Sequence, residues 1–306
     1  MKRASRGPTW FEDEQFLDSE VSFPDPSASR WRLKRKIYER EYSLAGRDRE
    51  TTAANGEDGN ADRGERGKRE REKESNEACA IYLCTRIDEP NLNPAASDDR
   101  NEGESDSQTE DKEKSEQAKP DPRPKKAIMK IRLQIPSPTA KADPVTVRAS
   151  QATTCLTTLA TNEIDALSAL TAAQCSSTPA LLAWKQDTQD CDSGVPGGFA
   201  VFMLMELLPG VRVENFMREL ARDERDALRV CFREAWLEGK ACGAINLDTG
   251  IRNLLWDSKR RKCYILDFEL YRKPTEDDVW NDSLYLAWNL AWINDGDPND
   301  MSTWEL

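Results

Sequence analysis

The sequence predicts an α+β fold, strand-rich with disordered insertions in its N-terminal part and helical in its C-terminal part. Three observations predict it. Residues 127–135 alternate apolar and polar side chains after Met129, as a half-buried strand does, and Pro136 closes the run. Residues 199–205 are continuously apolar, as in a strand covered on both faces. Residues 222–240 set Ala227, Leu228, Cys231, Phe232 and Ala235 on one side and charges on the other, the spacing of a surface helix.

The elements follow in order. Segment 1–45 carries the aromatic anchors Trp10, Phe11, Phe16, Phe23 and Trp31 and is partly ordered, with 30–42 forming a basic helix or strand. Residues 46–78 and 93–125 contain no Val, Ile, Leu, Met, Cys or aromatic residue. They bury too little apolar surface to offset a backbone ordering cost of about 1–2 kcal/mol per residue, so both are expected to be disordered. Between them, 79–92 is a strand built on Ala80-Ile81-Tyr82-Leu83-Cys84. Residues 126–208 make the rest of the N-terminal part and a hinge. They hold the alternating strand, a helix over 162–173 with Asn162 as its cap, an apolar stretch at 179–184, and a Pro196-Gly197-Gly198 turn into the 199–205 strand. Pro209-Gly210 breaks that strand, and 209–306 form the helical part. Within it, 254–257 and 262–266 flank Ser258-Lys259-Arg260-Arg261 as a hairpin, and Leu284, Ala287, Trp288 and Ala291 fall in helical register.

Composition narrows the function classes. A charged fraction of 33% against 38% hydrophobic means that part of the 306 residues cannot join a core. A net charge of −12 argues against nucleic acid and anionic membranes as partners, since both are polyanions. Eight scattered cysteines with no CxxC pair and no histidine leave a zinc site without its usual ligands. Residues 1–15 contain no apolar signal core, and 199–205 is too short to span a bilayer. An intracellular, cytoplasmic protein with free thiols is the expectation; the basic run at 32–36 leaves the nucleus open.

The most informative stretch runs from Asn246 to Glu269. Asp248 and Asn253 make Asp-x4-Asn, a strand follows, and Asp267-Phe268 ends the next strand. Phosphoryl transfer from ATP needs a carboxylate beside the acceptor hydroxyl, a neutral oxygen ligand for Mg2+, and a second carboxylate bridging metal and phosphates. Asp248, Asn253 and Asp267 are of those types in that order. Each also has a plainer reading, Asp248 and Asp267 as turn residues and Asn253 as the start of a strand.

This stretch resembles the catalytic core of the protein-kinase-like superfamily, and is most similar to fungal kinase-like proteins and to aminoglycoside and choline phosphotransferases, in which Asp-Phe-Glu commonly replaces Asp-Phe-Gly. The resemblance implies a two-lobed protein-kinase-like fold with a shortened C-terminal lobe, with Asp248 as the catalytic base and Asn253 and Asp267 as Mg2+ ligands. It also implies a nucleotide site with Lys130, from Ala127-Ile128-Met129-Lys130, on the ATP phosphates and Glu163 as its ion-pair partner. Lys125, Lys126 and Arg132 are nearby alternatives to Lys130, and Glu163 in a first helical turn equally suits the helix dipole. Met205, Glu206 and Leu207 match the hinge that reads the adenine edge. Three departures stand out: Asn246 where the family has His, Glu269 where protein kinases have Gly, and no glycine-rich loop ahead of Lys130. An ATP- and Mg2+-dependent phosphotransferase, with a small-molecule acceptor in preference to a protein or with degenerate activity, is the expectation. A catalytically inactive pseudokinase that binds nucleotide or protein is the alternative.

Overall fold

Alternation along neighbouring strands sorts this chain into an apolar sheet face and a charged one. The computed structural model describes residues 9–24, 28–42, 75–87, 124–213, 216–294, 296–298 and 300–306. Six strands form the main sheet: β1 (Glu20–Phe23), β2 (Ser29–Tyr42), β3 (Asn76–Ile87), β4 (Lys126–Ile135), β5 (Leu181–Thr188) and β6 (Phe199–Glu206). Their spatial order is β1-β2-β3-β4-β6-β5, and every neighbouring pair is antiparallel.

On one face, Leu33, Ala80, Tyr82, Met129, Ile131 and Leu133 build a core with Phe11, Phe23 and Trp31 from the N-terminal segment. The other face follows from the register. Arg40 pairs with Cys79 and Cys79 with Arg132, while Tyr38 pairs with Ile81 and Ile81 with Lys130. Because side chains alternate along a strand, these residues share the opposite face.

Strand β4 was expected to be half-buried, and it is not. Lys130, Arg132 and Gln134 are each under 4% exposed. Lys130 and Arg132 meet carboxylates and Gln134 meets backbone groups of Gln151 and Thr153 instead of water, and alternation alone cannot tell those environments apart. Strand β3 likewise starts at Asn76, inside the stretch 46–78 that was expected to be disordered, and the described strand ends at Ile87. Glu77 is what extends it, since its carboxylate is buried against Arg132 and Thr157. Apart from 75–78 and 124–125, the stretches 46–78 and 93–125 lie outside the described residues, as do 88–92.

The basic run on β2 is a set of surface ion pairs, with Arg32 on Glu20 and Lys34 on Asp18, each at 2.6 Å.

Helices α1 (Asp13–Phe16) and α2 (Val145–Ala149) are short. Helix α3 (Thr158–Ala172) packs on the charged face of the sheet, with Ile164 against Phe199, Val201 and Met203. Thr157 caps it by accepting from Ala160 N–H at 3.2 Å. Asn162, expected as the cap, lies a turn inside, and Glu163 is therefore not in the first turn.

Beyond β6 come β7 (Val211–Arg212), α4 (Phe216–Glu219), α5 (Arg222–Ala241), β8 (Ile245–Asn246), β9 (Leu254–Asp257), β10 (Lys262–Ile265), β11 (Tyr271–Arg272) and α6 (Leu284–Ala287). The expected hairpin is present, with Lys262 opposite Asp257. A second core joins Leu228, Phe232, Ala235, Trp256, Ile265, Phe268 and Trp288.

This region is less helical than expected. Helix α6 stops at Ala287 because Asn289 takes φ +56° and closes it, with Leu290 N–H on Tyr285 O at 2.7 Å and Asn289 N–H on Leu286 O at 3.0 Å. Among the described residues no helix is long and apolar enough to cross a membrane.

Candidate nucleotide and phosphate site

Three elements converge on Lys130. Strand β4 points its ammonium away from the apolar core, α3 supplies Glu163, and the turn after β10 supplies Asp267 and Glu269. Nζ lies 2.6 Å from Glu163 Oε1, 2.9 Å from Asp267 Oδ1 and 2.8 Å from Glu269 Oε1. The pairing with Glu163 closes across the long Pro-containing connection, part of which winds into α2. Burial depresses the Lys130 ammonium, but Asp267, Glu163 and Glu269 together outweigh it and hold the group charged, well above its ordinary pKa.

Arg132, two residues along the same face, is fully buried. It reaches Glu77, Glu163 Oε2 at 2.6 Å and Glu269 Oε1 at 2.6 Å. Thr157 ties this pair to the start of α3 by donating to Glu77 Oε2 at 2.6 Å. Arg40, from β2, lies 3.0 Å from Asp267 Oδ2 and 2.5 Å from Glu269 Oε1. Glu269 also accepts from the Tyr42 hydroxyl at 2.5 Å, and its carbonyl accepts from Asn162 Nδ2 at 3.1 Å. Burial alone pushes the Glu269 carboxyl up, yet Lys130, Arg132 and Arg40 pull it far below the usual carboxylate range. Glu163 goes the other way, raised because its burial outweighs Lys130 and Arg132.

Carboxylate oxygens of Glu163, Asp267 and Glu269 lie within 4.8 Å of one another. Such a group demands positive charge, and here Lys130, Arg132 and Arg40 provide it.

Asp267 itself sits at φ +63°, a conformation that costs a non-glycine residue of order 1–3 kcal/mol and clusters at functional sites. Asn246 holds it there: Nδ2 donates to Leu266 O at 2.9 Å and Asp267 O at 3.0 Å, while Oδ1 accepts from Asp248 N–H at 2.8 Å. One amide thus joins the loop of Asp248 to the turn of Asp267, across the β8–β11 pairing of Asn246 with Tyr271.

In that loop, Asn253 Nδ2 donates to Asp248 Oδ2 at 2.9 Å and Asp248 O at 2.8 Å, and Arg252 pairs with the other carboxylate oxygen. Gly250, at φ +143°, makes the turn between them.

A cavity of about 420 Å³ opens beside Lys130. Ile128, Met205, Leu255 and Leu266 line it together with the 206–208 segment, and Arg40, Lys130, Glu163, Asn253 and Asp267 add polar groups, of which Lys130, Glu163 and Asp267 meet at one ammonium. The volume and the few convergent polar groups suit a small-molecule ligand. Gly210 lets the edge close against β9: at φ +114°, a Cβ there would lie 2.8 Å from Trp256 O.

The structure therefore brings Lys130, Glu163, Met205, Glu206, Leu207, Asn253 and Asp267 to one cavity, with Asp248 hydrogen-bonded to Asn253 just outside its lining. Sequence reasoning missed Arg40, Glu77 and Tyr42 as members of the site. The alternation of Arg40 and Tyr42 along β2 was the only available signal.

No family model matches this sequence, and no curated protein matches it. Among solved structures, PK-1, a kinase of the Cydia pomonella granulovirus, is similar over 67% of this chain and 59% of its own, with 13% identity and a TM-score of 0.34. The chain thus spans less than two thirds of the viral kinase. The functional reading rests on the geometry above.

Proposed function

We propose that this chain is a two-lobed, protein-kinase-like phosphotransferase that uses ATP and Mg2+. One observation carries the reading: Lys130 Nζ bridges Glu163 and Asp267, and all three residues line the cavity. A buried ammonium held by three carboxylates in the lining of a cavity suits a phosphate anchor, because its position is fixed before ligand arrives. Beyond Glu206, whose N–H bonds Ala180 O at 2.9 Å, the main-chain groups of 207–208 would offer donors and acceptors to a purine edge.

Asp267 and Asn253 would hold Mg2+; both present hard oxygen ligands, and Asn253 commits its Nδ2 to Asp248 so that the amide oxygen is what it offers. The ion's contribution would be to neutralise phosphate charge. Asp248, oriented by Asn253 and by Asn246, would accept the proton of an acceptor hydroxyl.

A second reading, nucleotide binding without turnover, is favoured by Arg252, which occupies one Asp248 oxygen while Asn253 occupies the other. The separating experiment follows the γ-phosphate of ATP into water or a panel of hydroxyl acceptors. Wild type is expected to exceed Asp248→Asn by about 100-fold or more. Equal background rates from two nucleotide-binding proteins would instead establish the second reading.

A further inference from the structure

We infer that Arg40 is the exchangeable phosphate clamp of this site, a binding role carried by a side chain on β2. The inference rests on the nucleotide reading above. Both oxygens of Asp267 are occupied, Oδ1 by Lys130 and Oδ2 by Arg40. For Asp267 to serve a metal, one of the two cations must move.

Lys130 is 3% exposed and keeps Glu163 and Glu269 as further partners; Arg40 is 26% exposed and shares its second partner, Glu269, with Lys130, Arg132 and Tyr42. Arg40 is thus the cation most easily released, and Glu269 stays satisfied after it leaves. Arg40 already lines the cavity, with its guanidinium over the Tyr42 ring at 4.4 Å, so the released fork of donors lies beside any ligand held there. A planar fork of donors matches a phosphate group.

The sequence between β2 and β3 contains no Gly-x-Gly-x-x-Gly to supply backbone amides, so a side chain from the same strand supplies the charge. In the empty site Arg40 neutralises Asp267; in the loaded site it neutralises phosphate.

The test measures dissociation constants of MgATP and of adenosine for the full chain, for Arg40→Gln and for Arg40→Lys, with melting curves as a folding control. Arg40→Gln is expected to weaken MgATP by about 10- to 100-fold while leaving adenosine unchanged. Arg40→Lys should fall between that variant and wild type, and it carries the comparison if the glutamine variant melts early. Unchanged or tighter MgATP binding in both variants would overturn the clamp, showing that Arg40 only blocks Asp267. Equal losses for MgATP and adenosine would overturn it too, as an effect of cavity shape. A wild-type protein that binds adenosine and MgATP keeps the nucleotide reading whatever Arg40 does; one that binds neither ends both.

Discussion

Asn246 donates its side-chain amide to the main-chain carbonyl of Asp267 at 3.0 Å, and that bond fixes the turn on which the site depends. The same residue receives Asp248 N–H, so one asparagine connects the loop of Asp248 to the turn of Asp267. Asn246→Ala leaves two carbonyls and one N–H without partners. It is expected to cost about 1–3 kcal/mol of stability in urea unfolding. Asn246→Asp should cost more, since a carboxylate would face the two carbonyl oxygens that the amide now satisfies.

Lys130 neutralises three carboxylates in a buried setting. Lys130→Met is expected to destabilise the protein by about 3–5 kcal/mol, the usual cost of stranding a buried partner. Glu163→Gln should cost less, because burial already disfavours that carboxylate. A double variant less destabilised than the sum of the two would show the coupling directly.

Acid stability follows from Glu269. Its folded-state pKa lies below the ordinary 4.5, so it contributes stability that is fully present above that value and is lost as pH falls through the acid range. Wild type should therefore lose stability more steeply below pH 4.5 than Glu269→Gln does. Lys130 has the opposite sign: its pKa is raised above 10.5, so its contribution is complete below 10.5 and declines only at higher pH. Unfolding free energies at a series of pH values check both.

Gly210 adopts φ +114° against the backbone of Trp256, where a side chain has no room. Gly210→Ala is expected to lower stability by about 1–3 kcal/mol and to weaken any ligand bound along 206–208. Melting temperature with and without ligand measures the two effects.

How much of this was legible depended on the range of the interaction. Local patterns were readable: the strand at 199–205, the helix at 222–240 and the hairpin at 254–266; Lys130, Glu163 and Asp267 were singled out by the family resemblance, and the structure sets them in contact. Long-range partners were not. Glu77 sits in a stretch without a large apolar residue, and the partners that hold it in the sheet and bury its carboxylate, Tyr42, Gln134, Arg132 and Thr157, all lie far along the chain. Arg40 reads as one more charge in a basic run until the sheet register sets it beside Cys79 and Arg132. Asn289 ends α6 through its own backbone conformation, which helical register alone does not disclose.

Under the proposed function, Asp267 and Lys130 receive a metal-bound triphosphate. Titration of wild type and Asp267→Asn with ATP, with Mg2+ and with a chelator in its place, tests it most directly. Wild type should bind ATP more tightly with Mg2+ than without, and Asp267→Asn should lose that difference while still folding. ATP binding that ignores Mg2+ in both proteins, or no binding in either, would contradict the claim.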